Sequence, residues 1–341
     1  MTKKTIVLLP GVLILAFALY LLYWSQAEHP LSPDGVTLNL PKGGSLKQLS
    51  DELESKHLID HALMFRVLVK ALGNYGKFQA GHYRFSETVS PQDIVQTMVA
   101  GKTYTPLALE FTIPEGYTLT QVKEKLVRFG MAKGDEFDGL VRNSEFLASL
   151  GVQAKTLEGF LHPATYRFYG DGEKVSVQDV LERAVREFFS KIPIHYETDL
   201  TEKGLTFYEG LIFASLIERE TQWDDEKPRV AEVIWRRLKD HSPLGIDAAL
   251  IYGIEDYKGD ITTQHLKDRN NPYNTRIHKG LPPTPIGAPS LVSLKAVLNP
   301  TTEGYYFYVL LPGSEKRHHF SKNLNEHNRF VQRLVKFQKT Q

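Results

Sequence analysis

The sequence has no cysteine. Disulfides, thiol catalysis, thiolate zinc sites and a lipid anchor on cysteine are therefore excluded. It also lacks a charge bias: 41 Lys and Arg against 40 Asp and Glu leave a net charge of +1. No basic footprint for nucleic acid is present. Three short motifs are absent as well: the H-E-x-x-H metal helix, the Gly-rich phosphate loop and the G-x-S-x-G nucleophile turn.

Charge is missing locally too. The nineteen residues Ile6–Trp24, "IVLLPGVLILAFALYLLYW", carry none. As a helix they cover about 28 Å, close to the hydrocarbon thickness of a bilayer. Lys3 and Lys4 precede the run, and no Lys or Arg follows until Lys42. The positive-inside rule then expects residues 1–25 to be a cytoplasmic tip and single-pass membrane anchor, with everything past Ser25 outside. Tyr20, Tyr23 and Trp24 suit an interfacial aromatic belt. A cleaved signal peptide is the alternative, since "SQA" at 25–27 is a small-x-small site. The run, however, is longer than the roughly 7–15 apolar residues of such a signal.

What is present beyond residue 25 is ordinary globular composition, 42% apolar and 24% charged. Residues 26–35 read as a polar linker. A pattern then occurs twice, as "VTLNLPKGGSLKQLSDEL" from Val36 and "LEFTIPEGYTLTQVKEKL" from Leu109. Pro41 matches Pro114, Gly43 matches Gly116, and Ser45 and Thr118 stand where helix N-caps belong. Each copy continues into a second helical stretch, near 62–72 and 135–142, and closes on "YRF". The spacing predicts strand–helix–helix–strand modules over 36–105 and 106–175, the second with an insertion. From 176 to 341 the chain is helix-rich, with a hairpin over "YYFYVLL" and "HHF" and a last helix capped by Ser321. The fold class is α+β.

One helix carries the chemistry. In "LIFASLIERET" (211–221) Leu211, Ala214 and Ile217 share a face with Glu218, while Phe213 and Leu216 lie opposite. A helix apolar all round is a buried helix. A carboxyl against apolar walls keeps its proton more readily and can donate it. The alternative is a buried ion pair with Arg219, Arg236 or Arg237. Glu220 is 200° away on a helix and faces the other way, unless the helix ends between them. Asp247 sits between apolar runs, as a helix N-cap or a second carboxylate. "NPYNTRIHKGLPPTPIGAPS" (271–290) presents Tyr273, Asn274 and Thr275 beside a stiff proline strip, which suits sugar hydroxyls. His318 and His319 are neighbours on a strand and face opposite ways, so they make poor joint metal ligands.

Taken together, "IPEGYTL" at 113, "LEGFLHPATY" at 157, "LIERET" around Glu218, "LIYG" after Asp247, "YNT" at 273, "GLPPTPI" at 280 and "SLKA" at 293 resemble the endolytic murein transglycosylases, a YceG-like family. The resemblance runs from about residue 36 to 335. The chain departs from the family's pattern at His162, Ala164, Gly245, Ala248 and Thr284.

The resemblance implies LysM-like modules ahead of a lysozyme-like catalytic domain. It implies cleavage of the β-1,4 bond between N-acetylmuramic acid and N-acetylglucosamine in nascent peptidoglycan. The muramyl C6 hydroxyl attacks C1 and leaves a 1,6-anhydro end, so strand length is set by cutting. With the nucleophile built into the sugar, one carboxyl can serve both proton transfers, where ordinary glycosidases need two. Glu218 would act as general acid and then as base. Glu220, Asp247, Tyr252, Tyr273, Asn274 and Thr275 would bind substrate, with no cofactor and no metal. Peptidoglycan synthases are the implied partners. Two other readings stand beside it: a non-catalytic peptidoglycan scaffold, and a hydrolytic muramidase pairing Glu218 with Asp247.

Overall fold

A computed structural model describes residues 3–33, 35–170 and 174–339; side chains of 3–9 lie outside that description. The chain divides into two compact units. One comprises Met1–Ala108 with Tyr169–Glu173, the other Leu109–Phe168 with Lys174–Gln341.

In the first unit, α1 (Lys3–Ser25) and the short β1 (His29–Pro30) lead into β2 (Val36–Leu40). Then follow α2 (Leu46–Ser55), α3 (Ala62–Ala71), β3 (Gly81–Phe85), β4 (Thr88–Val89) and α4 (Pro91–Val99). β2 and β3 pair antiparallel with Leu38 opposite Tyr83. Leu38, Leu40, Tyr83 and Phe85 fall on the buried face, the alternation a half-covered strand pair requires. The stretch expected as a linker is partly strand: β1 pairs with β4, and Leu31 N–H donates to the Glu87 carbonyl.

Among the described residues no helix is long and apolar enough to cross a membrane. The expected span begins at Ile6, among residues whose side chains lie outside the description. Trp24 differs from expectation. It is 5% exposed and packs with Leu21 into the first unit's core, while Tyr20 and Tyr23 are exposed. The indole sits on the side of α1 that meets α3 and α4, so apolar burial claims it.

The second unit opens with β5 (Leu107–Ile113), α5 (Leu119–Arg128), α6 (Gly134–Leu140), α7 (Ser144–Ser149) and β6 (Ala164–Tyr169). The first copy runs β2, α2, α3, β3, whereas the second has three helices, α5 to α7, between β5 and β6. Ser45 and Thr118 both form capping boxes, with Gln48 and Gln121 reaching back to the cap N–H. The unit continues through α8 (Val177–Lys191), α9 (Tyr196–Glu202), α10 (Phe207–Glu220), α11 (Lys227–Lys239), α12 (Asp247–Tyr252), α13 (Thr263–Lys267) and α14 (Leu291–Leu298). It ends with the hairpin β7 (Phe307–Leu310) and β8 (His318–Ser321), then α15 (Leu324–Gln338). One core joins the second module to the helices: Phe111, Ile113, Val122 and Phe137 belong to the same cluster as Phe188, Phe213, Ile217 and Val233. The last helix is capped by Asn323, not by Ser321. Ser321 is the end of β8, where its carbonyl accepts Tyr306 N–H, whereas Asn323 Oδ1 accepts Glu326 N–H at 2.9 Å.

Candidate active site

The site is built on the end of α10. Thr206 and Glu209 form its capping box, and every residue from Gly210 to Glu218 is buried. Gly210 is required because a Cβ there would meet a Leu200 methyl at 2.4 Å, so α9 can lie against the helix. The helix stops at Glu220. Thr221 is extended, and its hydroxyl donates to Glu226 Oε2 at 2.8 Å.

Carboxylates in the last turn of a helix lie at the negative end of its dipole and are disfavoured there. The fold answers this for Glu218 with donors from two other elements. Lys227 Nζ lies 3.1 and 3.3 Å from the two carboxyl oxygens. Ser290 N–H and Ser293 Oγ, at the start of α14, reach Oε2 at 2.8 and 2.7 Å. The C-terminal end of one helix thus meets the N-terminal end of another. Lys227 is itself fully buried, and its three ammonium hydrogens have three acceptors: Glu218, Asp224 at 2.9 Å and Ser290 Oγ at 3.0 Å. Burial pulls the Lys227 ammonium down, but the bonds to Asp224 and Glu218 outweigh it and raise it above the usual lysine value.

This corrects the expected surroundings of Glu218 in two ways. The group is buried, at 9% exposure, but its carboxyl meets an ammonium and serine donors rather than apolar walls. The ion-pair partner is also none of the three arginines. Arg219 is 100° further round the helix and gives Nη1 to the Gly116 carbonyl at 3.0 Å. Arg237 is spent on the Leu244 and Tyr306 carbonyls, and Arg236 lies over the Tyr306 ring. Sequence reasoning missed Lys227 because a lysine opening an amphipathic helix normally reads as solvated.

Glu218 and Glu220 nevertheless open onto one cavity of about 900 Å³, which Glu115, Gly116, Asp247, Arg276, Tyr308 and His318 also line. The two carboxyls reach it with separate partners, Glu218 with Lys227 and Ser290 and Glu220 with Tyr308. Tyr308 on β7 donates its hydroxyl to Glu220 Oε2 at 2.5 Å. Burial raises the Glu220 carboxyl above its usual value, against the lowering effect of that bond. Burial also raises Glu115, and the neighbouring Glu218 adds to the rise. Asp247 opens α12 and takes Arg276 on one oxygen, at 2.6 and 3.2 Å. Gly245, beside it, has a φ of +68°, a backbone shape that favours glycine.

The other four expected site residues do not line this cavity. Asn274 is fully buried, and its Nδ2 donates to the carbonyls of His265, Leu266 and Asp268. Thr275 Oγ1 accepts Ile246 N–H at 2.9 Å and so clamps the segment that presents Asp247. Tyr273 bonds Thr284 at 2.8 Å and packs edge-on against Tyr252, 4.9 Å away. Tyr252 donates to Glu158 Oε2 at 2.9 Å. Their polar groups serve the loop that frames the site. Gly280–Pro283 line a different cavity with Tyr208 and Trp235.

Residues 38–333 match the family model described as the YceG-like family. The chain belongs to that family. It is 28% identical over 334 residues to the endolytic murein transglycosylase of Bacillus subtilis, covering 92% of this chain and 89% of that protein. A protein of the same name from Streptococcus pneumoniae is 27% identical, with 87% of this chain and 58% of its own length covered. The crystal structure of a yceG-like protein from Listeria monocytogenes superposes with a TM-score of 0.59 and 31% identity, over 87% of this chain and 99% of that one. The family match takes in α10, the start of α14 and the hairpin.

Proposed function

We propose that this YceG-like protein is an endolytic peptidoglycan lytic transglycosylase. It cuts the β-1,4 bond between N-acetylmuramic acid and N-acetylglucosamine within nascent strands and leaves 1,6-anhydro ends. The observation that carries this reading is Glu218, a buried carboxyl at a helix end, opening onto a cavity shared with Glu220 and Asp247. Glu218 handles the proton of the muramyl C6 hydroxyl. Sequence reasoning assigned it both proton transfers. Its oxygens take Lys227 Nζ, Ser290 N–H and Ser293 Oγ, which fix the carboxyl at the edge of the cavity. A cavity of about 900 Å³ accommodates several sugar rings.

In this reading α1 anchors the chain in the membrane and faces the remainder outward, where new strands emerge. The repeated strand–helix–helix–strand modules are LysM-like and hold the polymer. Cutting there sets strand length beside the synthases. A hydrolytic muramidase is the second reading, favoured by Asp247 in the same cavity.

The test is to digest purified glycan strands and weigh the products. Anhydro ends are expected, and Glu218→Gln should abolish them while the unfolding midpoint holds. Products heavier by one water would establish the muramidase. Intact strands, or a Glu218→Gln variant that still cuts at the original rate, would remove the assignment.

A further inference from the structure

The repeated turn is the sequence feature that the reading above leaves unused. Pro41–Gly44 and Pro114–Tyr117 have one form. The fourth N–H reaches the first carbonyl, at 3.0 and 3.4 Å, and the third residue is a glycine with φ of +79° or +70°. Such a turn demands glycine in the third place and leaves the second place free. The second place holds Lys42 in the first copy and Glu115 in the other.

The second copy is docked on the site. Gly116 N–H donates to the Ala288 carbonyl at 2.8 Å, and Ala288 N–H donates back to the Tyr117 carbonyl at 2.8 Å. Arg219 Nη1 holds the Gly116 carbonyl at 3.0 Å. A Cβ on Gly116 would stand 3.3 Å from Arg219 Cδ and 3.8 Å from Glu218 Cγ, so the turn lies against the Glu218 side chain itself. Glu115 lines the same cavity. Its carboxyl is exposed and has no hydrogen-bond or ion-pair partner among the described residues. Lys227 does not serve it, because the three ammonium hydrogens go to Glu218, Asp224 and Ser290. Partial burial and the nearby Glu218 disfavour the Glu115 charge, so a donor supplied by a ligand would relieve it.

A muramyl residue inside a strand has few donors to offer. O1 and O4 are glycosidic and O3 carries the lactyl ether, which leaves the C6 hydroxyl and the acetamido N–H. The C6 hydroxyl belongs to Glu218. An N–H can only donate, and once enclosed it needs an acceptor. Glu220 and Asp247 already take Tyr308 and Arg276. We propose that Glu115 accepts the acetamido N–H of the muramyl ring at the scissile bond, and so orients that ring over Glu218. This rests on the transglycosylase reading and deepens it. The turn of the second module then touches the reacting sugar directly, and Glu218 keeps both proton transfers to itself.

The experiment uses the full chain in detergent with purified glycan strands. Glu115→Ala removes the acceptor and should lower kcat/KM for anhydro-end formation by about 10–100-fold, chiefly through KM. The unfolding midpoint should hold, since no partner within the chain is lost. Glu115→Gln keeps a carbonyl and should recover part of the loss. A second measurement reads the nitrogen itself. In Glu218→Gln, affinities are compared for ordinary strands and for strands de-N-acetylated at muramic acid, where the amide becomes an ammonium. Adding Glu115→Gln should weaken binding of the ammonium strands about tenfold more than that of ordinary strands, because an ammonium gains more from a carboxylate than from an amide. An equal effect on both kinds of strand overturns the proposal. So does a Glu115→Ala variant that cuts near the original rate, or one whose loss a lower unfolding midpoint explains. Failure of the transglycosylase reading looks different: the unaltered protein itself would leave no anhydro ends.

Discussion

Glu158 offers a test of the fold that does not depend on the chemistry of the cavity. It lies 4% exposed, with Leu119 N–H reaching its two oxygens at 3.3 and 3.1 Å and the Tyr252 hydroxyl on Oε2. Burial pushes its carboxyl from 4.5 up to about 7, and these bonds only partly oppose the rise. A group raised on folding binds its proton more tightly in the folded chain. Its contribution to stability is therefore complete below pH 4.5 and is lost as the pH climbs through 7. A rise of that size corresponds to about 3 kcal/mol between the two limits. Glu158→Gln keeps a carbonyl for Leu119 and Tyr252 but has no charge to bury. Its stability relative to the original should therefore improve by about 3 kcal/mol from pH 4 to pH 9, whatever the fixed cost of the new amide hydrogens. Urea unfolding followed by tryptophan fluorescence reads this, because Trp223 and Trp235 both belong to the second unit. A gap between variant and original that stays constant with pH would refute the reasoning.

Two further outcomes concern the frame of the site. Lys227→Met strands the Glu218 charge and should cost about 3–5 kcal/mol, whereas adding Glu218→Gln should recover much of it; strictly additive losses in a double-mutant cycle would disprove the pairing. Asn274→Ala deprives three half-buried carbonyls of their donor and should lower stability by about 1–2 kcal/mol. If Asn274 serves substrate alone, the unfolding midpoint will not move and only strand cutting will suffer.

Much of this protein is written locally. Caps at Ser45, Thr118, Ser176 and Thr206 are decided within four residues by side chain and backbone, and the structure forms each where the residue types require. The same holds for the burial of α10, since residues apolar on every side leave no face for water. The repeat of strand, turn and helix is likewise visible from spacing alone, and so is the opposed facing of His318 and His319. What meets the buried end of α10 is a different kind of information. Lys227 is nine residues from Glu218, but Ser290 is 72 and Ser293 is 75 residues away. Whether a buried carboxyl faces apolar walls or an ammonium depends on how α10, α11 and α14 converge, and no periodicity encodes that. The same convergence turns two glutamates that a helix wheel sets apart into neighbours across one cavity. It also draws Asn274 and Thr275 into the framework of the loop, because buried carbonyls and N–H groups must find partners before any ligand arrives. Sequence alone determined the repeated strand–turn–helix pattern and which helix is buried; tertiary packing decided the partners of each charge, because the energy of a buried charge is set by the atoms around it and not by its neighbours in the chain.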